Sequence, residues 1–416
     1  PVRSWIEWQY KEFGEDTKVM MGQEISEKME LENTYELLVQ NAEDFIYRCD
    51  TEGNFIFANN IIFERLGYAK TDIIGKDSIS IVPDDFQEEV RQFYRDHFLE
   101  RKTSSYKEFP IMSKDEEIIW IGQHVTTIFA PGSQAYINGF IALARDITSI
   151  RRQQQLIQDQ RDDITASINY AKRIQFNLLP HERYFTSGFR EHFIIYKPKD
   201  IVSGDFYWME TIGETTVFAL GDCTGHGVPG AFMTLLGINL LNSIVKENNI
   251  LDPGKILDEL DKRLLDILPR NSHQNSLNDG MEMTICAINE DSDDMAYACA
   301  GSRFLIHTEE TFTMLKGDNK HIGDSAPDDF KFYSTHYTTF KHNDLVYLFS
   351  DGLQDQFGGD NDKKFTFRRV LGLLEDNASL PLPDQRKNIE DAINDWVGTS
   401  EQTDDITLIS IKKRIT

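Results

Sequence analysis

Four cysteines in 416 residues, none spaced as C-x-x-C, signal neither a zinc site nor a disulfide framework. Cys49, Cys223, Cys286 and Cys299 instead fit a reducing, cytoplasmic setting. The sequence shows no apolar run of the ~18–20 residues that cross a bilayer, and no signal peptide opens it. It begins at Pro1 inside what reads as helix, so it is expected to be a piece of a longer protein. Basic residues are also scarce: 43 Lys and Arg stand against 69 Asp and Glu, a net charge of −26. Such a surface repels phosphate backbones and anionic lipid heads, which argues against nucleic acid or a membrane as the partner. What remains is an ordinary globular mix, 40% hydrophobic, long enough for two or three domains.

The chain divides by pattern. Residues 1–40 are polar and Glu-rich, and Ile25, Met29 and Leu37-Leu38 recur at helical spacing, which predicts an N-terminal helix. Residues 41–148 read as strands and short helices followed by three strand-like runs, a small α+β domain. Residues 149–180 predict one uninterrupted helix, stopped by Pro180. In it Ile150, Ile157, Ile164, Ala171 and Leu178 repeat every seven residues beside the mostly polar Gln154, Arg161, Ile168 and Gln175. That is a weak heptad, suited to a coiled coil whose register can shift at low cost. Residues 181–416 form the last domain.

Several landmarks in 41–148 stand in a familiar order. They are Gly53, Ala58-Asn59-Asn60, Leu66-Gly67-Tyr68, Ile74-Gly75-Lys76 and the closing Asp146-Ile147-Thr148. On these residues the segment resembles a PAS domain, which implies a sensor and a dimerising module. No Asn-Cys-Arg run of the flavin-binding type follows the Gly-Tyr helix, and His97, the sole histidine in the helical region, reads as a surface residue rather than a haem ligand.

Carboxylates in the last domain sit at strand ends. In SGDFYWMETIGETTVFALGDCTGHG, a turn centred between Gly213 and Glu214 puts Asp205 opposite Asp222 on one sheet face. Two like charges there are destabilising unless a cation lies between them, so the pattern points to Mg²⁺ or Mn²⁺. Asp351 ends the apolar run DLVYLFSDG, and Asp404 and Asp405 precede the apolar run ITLIS.

From Ser167 to Lys413 the motifs fall in a recognisable series. They are AKRIQ with Leu178-Leu179-Pro180, Ser203-Gly204-Asp205, Gly221-Asp222-Cys223-Thr224-Gly225-His226-Gly227, Ser350-Asp351-Gly352 and Thr403-Asp404-Asp405. The region resembles the PPM-type metal-dependent phosphatases, in their bacterial SpoIIE branch. The resemblance implies an α-β-β-α sandwich around two Mn²⁺ or Mg²⁺ ions that activate water for direct attack on phosphorus. By motif, Asp205, Asp222, Asp351 and Asp404 carry the site, with the Cys223 carbonyl and Asp405 as further ligands. No covalent intermediate is implied, so Cys223 reads as a small neighbour and not a nucleophile. Lys197 and Lys199 are candidate phosphate-facing cations, His226 is either a proton carrier or a loop holder, and Asp279 is a candidate neighbour of the site. Where the branch often has Asn-Ala-Gly-His, this chain has Cys299-Ala300-Gly301-Ser302.

The expected activity is therefore hydrolysis of phosphoserine or phosphothreonine on a small regulatory protein, such as an anti-sigma-factor antagonist, set by the sensor through a homodimeric linker. The alternative, a non-catalytic scaffold, conflicts with the presence of all four metal-site aspartates.

Overall fold

The computed structural model describes residues 6–12, 18–24, 26–130, 132, 136–181, 183–185, 189, 191–268, 280–289, 292–309, 311–323, 332–359 and 362–413. It divides into two compact units, residues 1–161 and 162–416.

The first unit opens on an antiparallel hairpin, β1 (Ile6–Glu12) and β2 (Lys18–Glu24), and only then the helix Ser26–Gln40. This corrects the expectation of helix across residues 1–40. Ile6, Trp8 and Tyr10 alternate with Glu7, Gln9 and Lys11, a period of two that favours strand. Of the residues that set the helical spacing, Met29, Leu37 and Leu38 lie in the helix Ser26–Gln40.

A five-stranded antiparallel sheet follows. Its strands are β3 (Phe45–Cys49), β4 (Phe55–Ala58), β5 (Ser104–Met112), β6 (Ile118–Phe129) and β7 (Ile137–Asp146), in the order β4-β3-β7-β6-β5. Phe45, Tyr47 and Cys49 point inward while Ile46 and Arg48 are half exposed, the alternation of a sheet with one covered face. Asn59 is fully buried, accepts from the Ile46 amide and donates to the carbonyls of Val39 and Asp44. The interior void is about 20 Å³, hardly more than one water and far short of a flavin or haem. His97 is buried rather than on the surface, and its ring nitrogens lie 2.7 Å from Ser105 Oγ and 2.9 Å from Thr127 Oγ1, leaving neither free for iron.

One helix runs Thr148–Leu178. In the second unit, two five-stranded antiparallel sheets are built from β8 (Glu191–Lys197), β9 (Asp205–Ile212), β10 (Thr215–Cys223), β11 (Met281–Asn289), β12 (Asp294–Ala300), β13 (Arg303–Thr308), β14 (Thr311–Lys316), β15 (His336–Thr339), β16 (Leu345–Phe349) and, after the short hairpin β17 (Phe357–Gly358) and β18 (Lys363–Lys364), β19 (Ile406–Lys412). Sheet one has the order β15-β12-β11-β10-β9 and sheet two β14-β13-β16-β19-β8. Helices Gly227–Leu241 and Pro253–Ile267 cover sheet one, and Phe367–Asn377 and Leu382–Val397 cover sheet two. Both faces of sheet two are thus buried. Val346 and Leu348 join the core shared with sheet one, while Leu345, Tyr347 and Phe349 pack with the helices. That is why β16 is apolar at every position.

The segment Gly227–Glu247, the first of these helices with a π-helical last turn, is long and apolar enough to span a membrane by length and composition, which corrects the sequence reading. Over half of it is buried inside the domain, with Ile238, Leu241, Ile244 and Val245 in the core.

Asn59→Ala removes three part-buried hydrogen bonds, of whose backbone partners the Val39 carbonyl keeps a bond from the Ala42 amide. It is expected to lower the stability of the first unit by about 2–4 kcal/mol, read by urea unfolding.

Candidate active site

The site begins with strand register. A two-residue turn, Gly213-Glu214, closes β9 and β10, with Gly213 at a positive φ of 59°. Asp222 consequently pairs with Asp205, as the turn position predicts. On its other side Asp222 pairs with Glu282 of β11. Directly opposed residues share a face, so three carboxylates cross the sheet in one row.

Sheet two supplies the rest. After β16, Ser350 leads into a short helix, Asp351–Asp355. Its second residue must be glycine: a Cβ on Gly352 would stand 2.0 Å from the Asp405 carbonyl oxygen. Asp351 approaches Asp222 closely enough for a hydrogen bond between the two carboxyl groups when one is protonated. Asp404 adds its charge to that felt by Asp205, Asp222 and Asp351.

Burial pushes Asp205 up to about 8; the hydroxyls of Ser350 and Thr407 oppose the rise, while Asp405 and Asp404 add to it. Neither carboxylate oxygen of Asp205 has a well-formed hydrogen bond. Asp222 is driven well above the carboxylate range by burial and then by Asp205, Asp351, Asp404 and Glu282. Burial also raises Asp351 and Glu282. The Cys223 thiol is held well above its ordinary value by burial and by Asp222, which keeps it protonated and unreactive.

These residues fit a hard divalent cation. The donors are oxygens, negatively charged and buried, and those of Asp205 are orphaned. No three acidic, histidine or cysteine side chains among the described residues converge on one point. Mg²⁺-like ions need only one or two carboxylates each, because they keep several waters.

Other expected site residues do different work. Asp405 is 4% exposed, and its two oxygens accept from the backbone amides of Lys199 (2.8 Å) and Gly204 (2.7 Å), so it braces the loop before Asp205. Lys197 is tethered to Asn394 on the Leu382–Val397 helix. Lys199 donates to His226 Nε2 (2.8 Å), whose Nδ1 lies 2.6 Å from Asp200 Oδ2. His226 thereby holds the loop, and neither lysine nor His226 lines the cleft beside Asp222 and Asp351. Asp279 lies outside the described residues.

Four contributors escaped the sequence reading as site residues. Glu282 and Arg303 both line that cleft, which measures about 230 Å³. Glu282 is a lone charge in an apolar strand, a signal that could have been read as a charge needing a partner. Gln175, assigned to the heptad's polar seam, is instead 4% exposed: it donates to the Ser203 carbonyl (2.6 Å) and accepts from the Ser203 amide (3.1 Å). Thr234 bonds the carbonyls of Ser203 and Gly204 from the other side.

Two helix-flanked sheets that bring carboxylates together at their strand ends define a metal-dependent hydrolase. The family described as Stage II sporulation protein E (SpoIIE) matches residues 212–414, and the PAS fold family matches 55–141. The SiaA-PP2C domain of Pseudomonas aeruginosa is 30% identical, with a TM-score of 0.55, over 61% of this chain and 99% of that domain. Phosphoserine phosphatase RsbU of Bacillus subtilis (strain 168) is 23% identical over 272 residues, 64% of this chain and 75% of RsbU. The chain belongs to the SpoIIE-type PP2C phosphatases, metal-dependent serine/threonine phosphatases, and carries a PAS fold ahead of the catalytic domain.

Without metal, Asp205 stays protonated in the folded chain until about pH 8, whereas it ionises near 4 when unfolded. The folded state then holds the extra proton between those values, so stability falls as pH rises through that window. In chelator, the melting temperature of the second unit is expected to drop from pH 5 to pH 8. Asp205→Asn should flatten the profile, and Mn²⁺ should stabilise the wild type more at pH 8 than at pH 5.

Proposed function

We propose that this chain hydrolyses phosphoserine or phosphothreonine on a partner protein at a two-ion centre of Mn²⁺ or Mg²⁺. The observation that carries the proposal is the carboxylate row Asp205, Asp222 and Glu282 meeting Asp351 from the other sheet. Asp205, Asp222, Asp351 and Asp404 would hold the ions, together with the Cys223 carbonyl. Bound ions would lower the pKa of a water and neutralise the phosphoryl oxygens. Asp405 is assigned to positioning rather than direct ligation, because loop amides occupy both its oxygens. The partner proposed is a phosphorylated regulatory protein of the anti-sigma-factor-antagonist class, which the similarity to RsbU supports. Four buried, unpaired cysteines suit a cytoplasmic setting.

Control is proposed to pass along the Thr148–Leu178 helix. Its residues Ile150, Ile157 and Ile164 are 49%, 65% and 60% exposed at seven-residue spacing, a seam for a second copy. Its far end carries Gln175, which grips the residue two before Asp205. A shift of this helix therefore moves the backbone that sets Asp205.

Hydrolysis of p-nitrophenyl phosphate and a phosphoserine peptide should require Mn²⁺ or Mg²⁺, stop in chelator, and fall at least 100-fold in Asp351→Asn. Turnover unaffected by chelator would sink the proposal. Gln175→Ala should leave the chain folded while raising the Mn²⁺ concentration for half-maximal rate several-fold, measured by metal titration of the initial rate.

A further inference from the structure

The cleft beside Asp222 and Asp351 has polar lining that the ion centre does not use. Along with the carboxylates, Thr284, Ser302, Arg303 and Gln354 face the same space. Thr284 lies two residues beyond Glu282 on β11, so both side chains project from one face of sheet one. Ser302 and Arg303 follow the turn at Gly301, where β12 of sheet one hands over to β13 of sheet two.

Arg303 is the one cation among the described residues lining this cleft. It is half buried, and no carboxylate among the described residues forms an ion pair with it. Its guanidinium is nevertheless fixed. Nη2 donates to Gln354 Oε1 at 2.6 Å, and its central carbon stands 4.8 Å from the Phe367 ring centroid. Gln354 lies three residues after Asp351 on the same short helix, which places the two on neighbouring positions of one face. Beside it, Thr284 Oγ1 and Ser302 Oγ are 2.8 Å apart and Thr284 Oγ1 donates to Cys299 Sγ at 3.8 Å, so this pair lines the cleft with its hydroxyl protons already in use.

A fixed guanidinium with remaining donors is the pattern that receives a tetrahedral dianion. The volume, about 230 Å³, lies below the ~300–1,000 Å³ of pockets that engulf drug-sized molecules, so it suits a small headgroup rather than a nucleotide. The need for a cation is electrostatic, since a phosphomonoester dianion approaching this many carboxylates is repelled by them. The lysines nearest in sequence do not meet that need, because Lys197 is tied to Asn394 and Lys199 to His226.

We propose that Arg303, held by Gln354 and Phe367, binds the non-bridging oxygens of the substrate phosphoryl group. This rests on the phosphatase reading and adds the residue that orients the monoester. A purely structural Arg303 would only brace the Asp351–Asp355 helix, and its loss would then cost stability without a selective loss of phosphate affinity.

The test is binding of inorganic phosphate to the full chain in Mn²⁺, by calorimetry and as product inhibition of p-nitrophenyl phosphate hydrolysis. Arg303→Met should weaken phosphate binding and raise KM at least tenfold, with a smaller change in kcat. Arg303→Lys should recover part of the loss, since it restores the charge but not the fork. Gln354→Ala keeps the guanidinium but frees it, and should raise the phosphate dissociation constant several-fold. This variant carries the test should Arg303→Met fail to fold. Wild-type phosphate affinity in Arg303→Met overturns the inference, as does a loss that instead follows Lys197→Ala or Lys199→Ala. The two readings fail separately. A wild type that turns over while Arg303→Met binds phosphate normally removes the anchor alone. A wild type that binds phosphate through Arg303 without metal-dependent turnover removes the phosphatase and keeps the anchor.

Discussion

Asp205, Asp222 and Glu282 stand side by side on one face of three paired strands, and their mutual repulsion sets the terms for everything around them. Opposed side chains in a sheet have Cβ atoms ~4.5–5.5 Å apart. At that spacing, away from water, three ionised carboxylates cannot coexist without protons or cations between them. The register that creates the conflict comes from a turn of two residues. Slipping it by one would send Asp222 to the opposite face and dissolve the row. Gly213 secures the turn because it takes the positive φ that a branched residue would resist.

A strained charge cluster is useful only if its frame does not relax, and the frame here is made of backbone contacts. Asp405 immediately precedes β19 of sheet two yet binds amides in the loop that leads to β9 in sheet one. It fixes Asp404 and Asp205 relative to one another even though they belong to different sheets. Gly352 lets the Asp351 helix press against the Asp405 carbonyl, and Gly230 lets the Gly227–Leu241 helix press against Gly225, whose carbonyl oxygen would lie 2.4 Å from an added Cβ. Gln175 and Thr234 then pin Ser203 from two helices. Asp405 apart, the groups that hold this frame, Gln175, Thr234 and the close-packed glycines, do not titrate.

How much of this was legible depended on whether a residue's role is local. The Asp205–Asp222 pairing was legible because one short hairpin contains it, and the apolar run of β16 announced a strand buried on both faces. Glu282 and Arg303 were not, since their strands are far in sequence from the hairpin and each carries only one charge. Lys197 and Lys199 show the converse: they are close to Asp205 along the chain, but Lys197, at the end of edge strand β8, meets Asn394, and Lys199, just beyond it, meets His226. Gln175 looked like a seam position because the heptad repeat continues through it, and periodicity alone cannot tell which body a helix face meets. In the first unit, the spacing of residues 25–38 was extended backwards over a segment whose own alternation is that of a strand.

The charge balance of the cleft also decides the order in which its occupants are compatible. Three carboxylates, Asp222, Glu282 and Asp351, against one arginine make the bare cleft hostile to a phosphate dianion. Each cation bound lowers that barrier, and a bound phosphate in turn makes a cation more welcome. By linkage the two effects are equal in free energy. Any movement of the backbone around Ser203 that weakens the hold on one ion therefore weakens phosphate binding by the same coupling, without touching Arg303. If control reaches the metal side and recognition lies at the arginine side, as proposed, both would act on one equilibrium, so that a helix gripping Ser203 would govern a reaction at phosphorus.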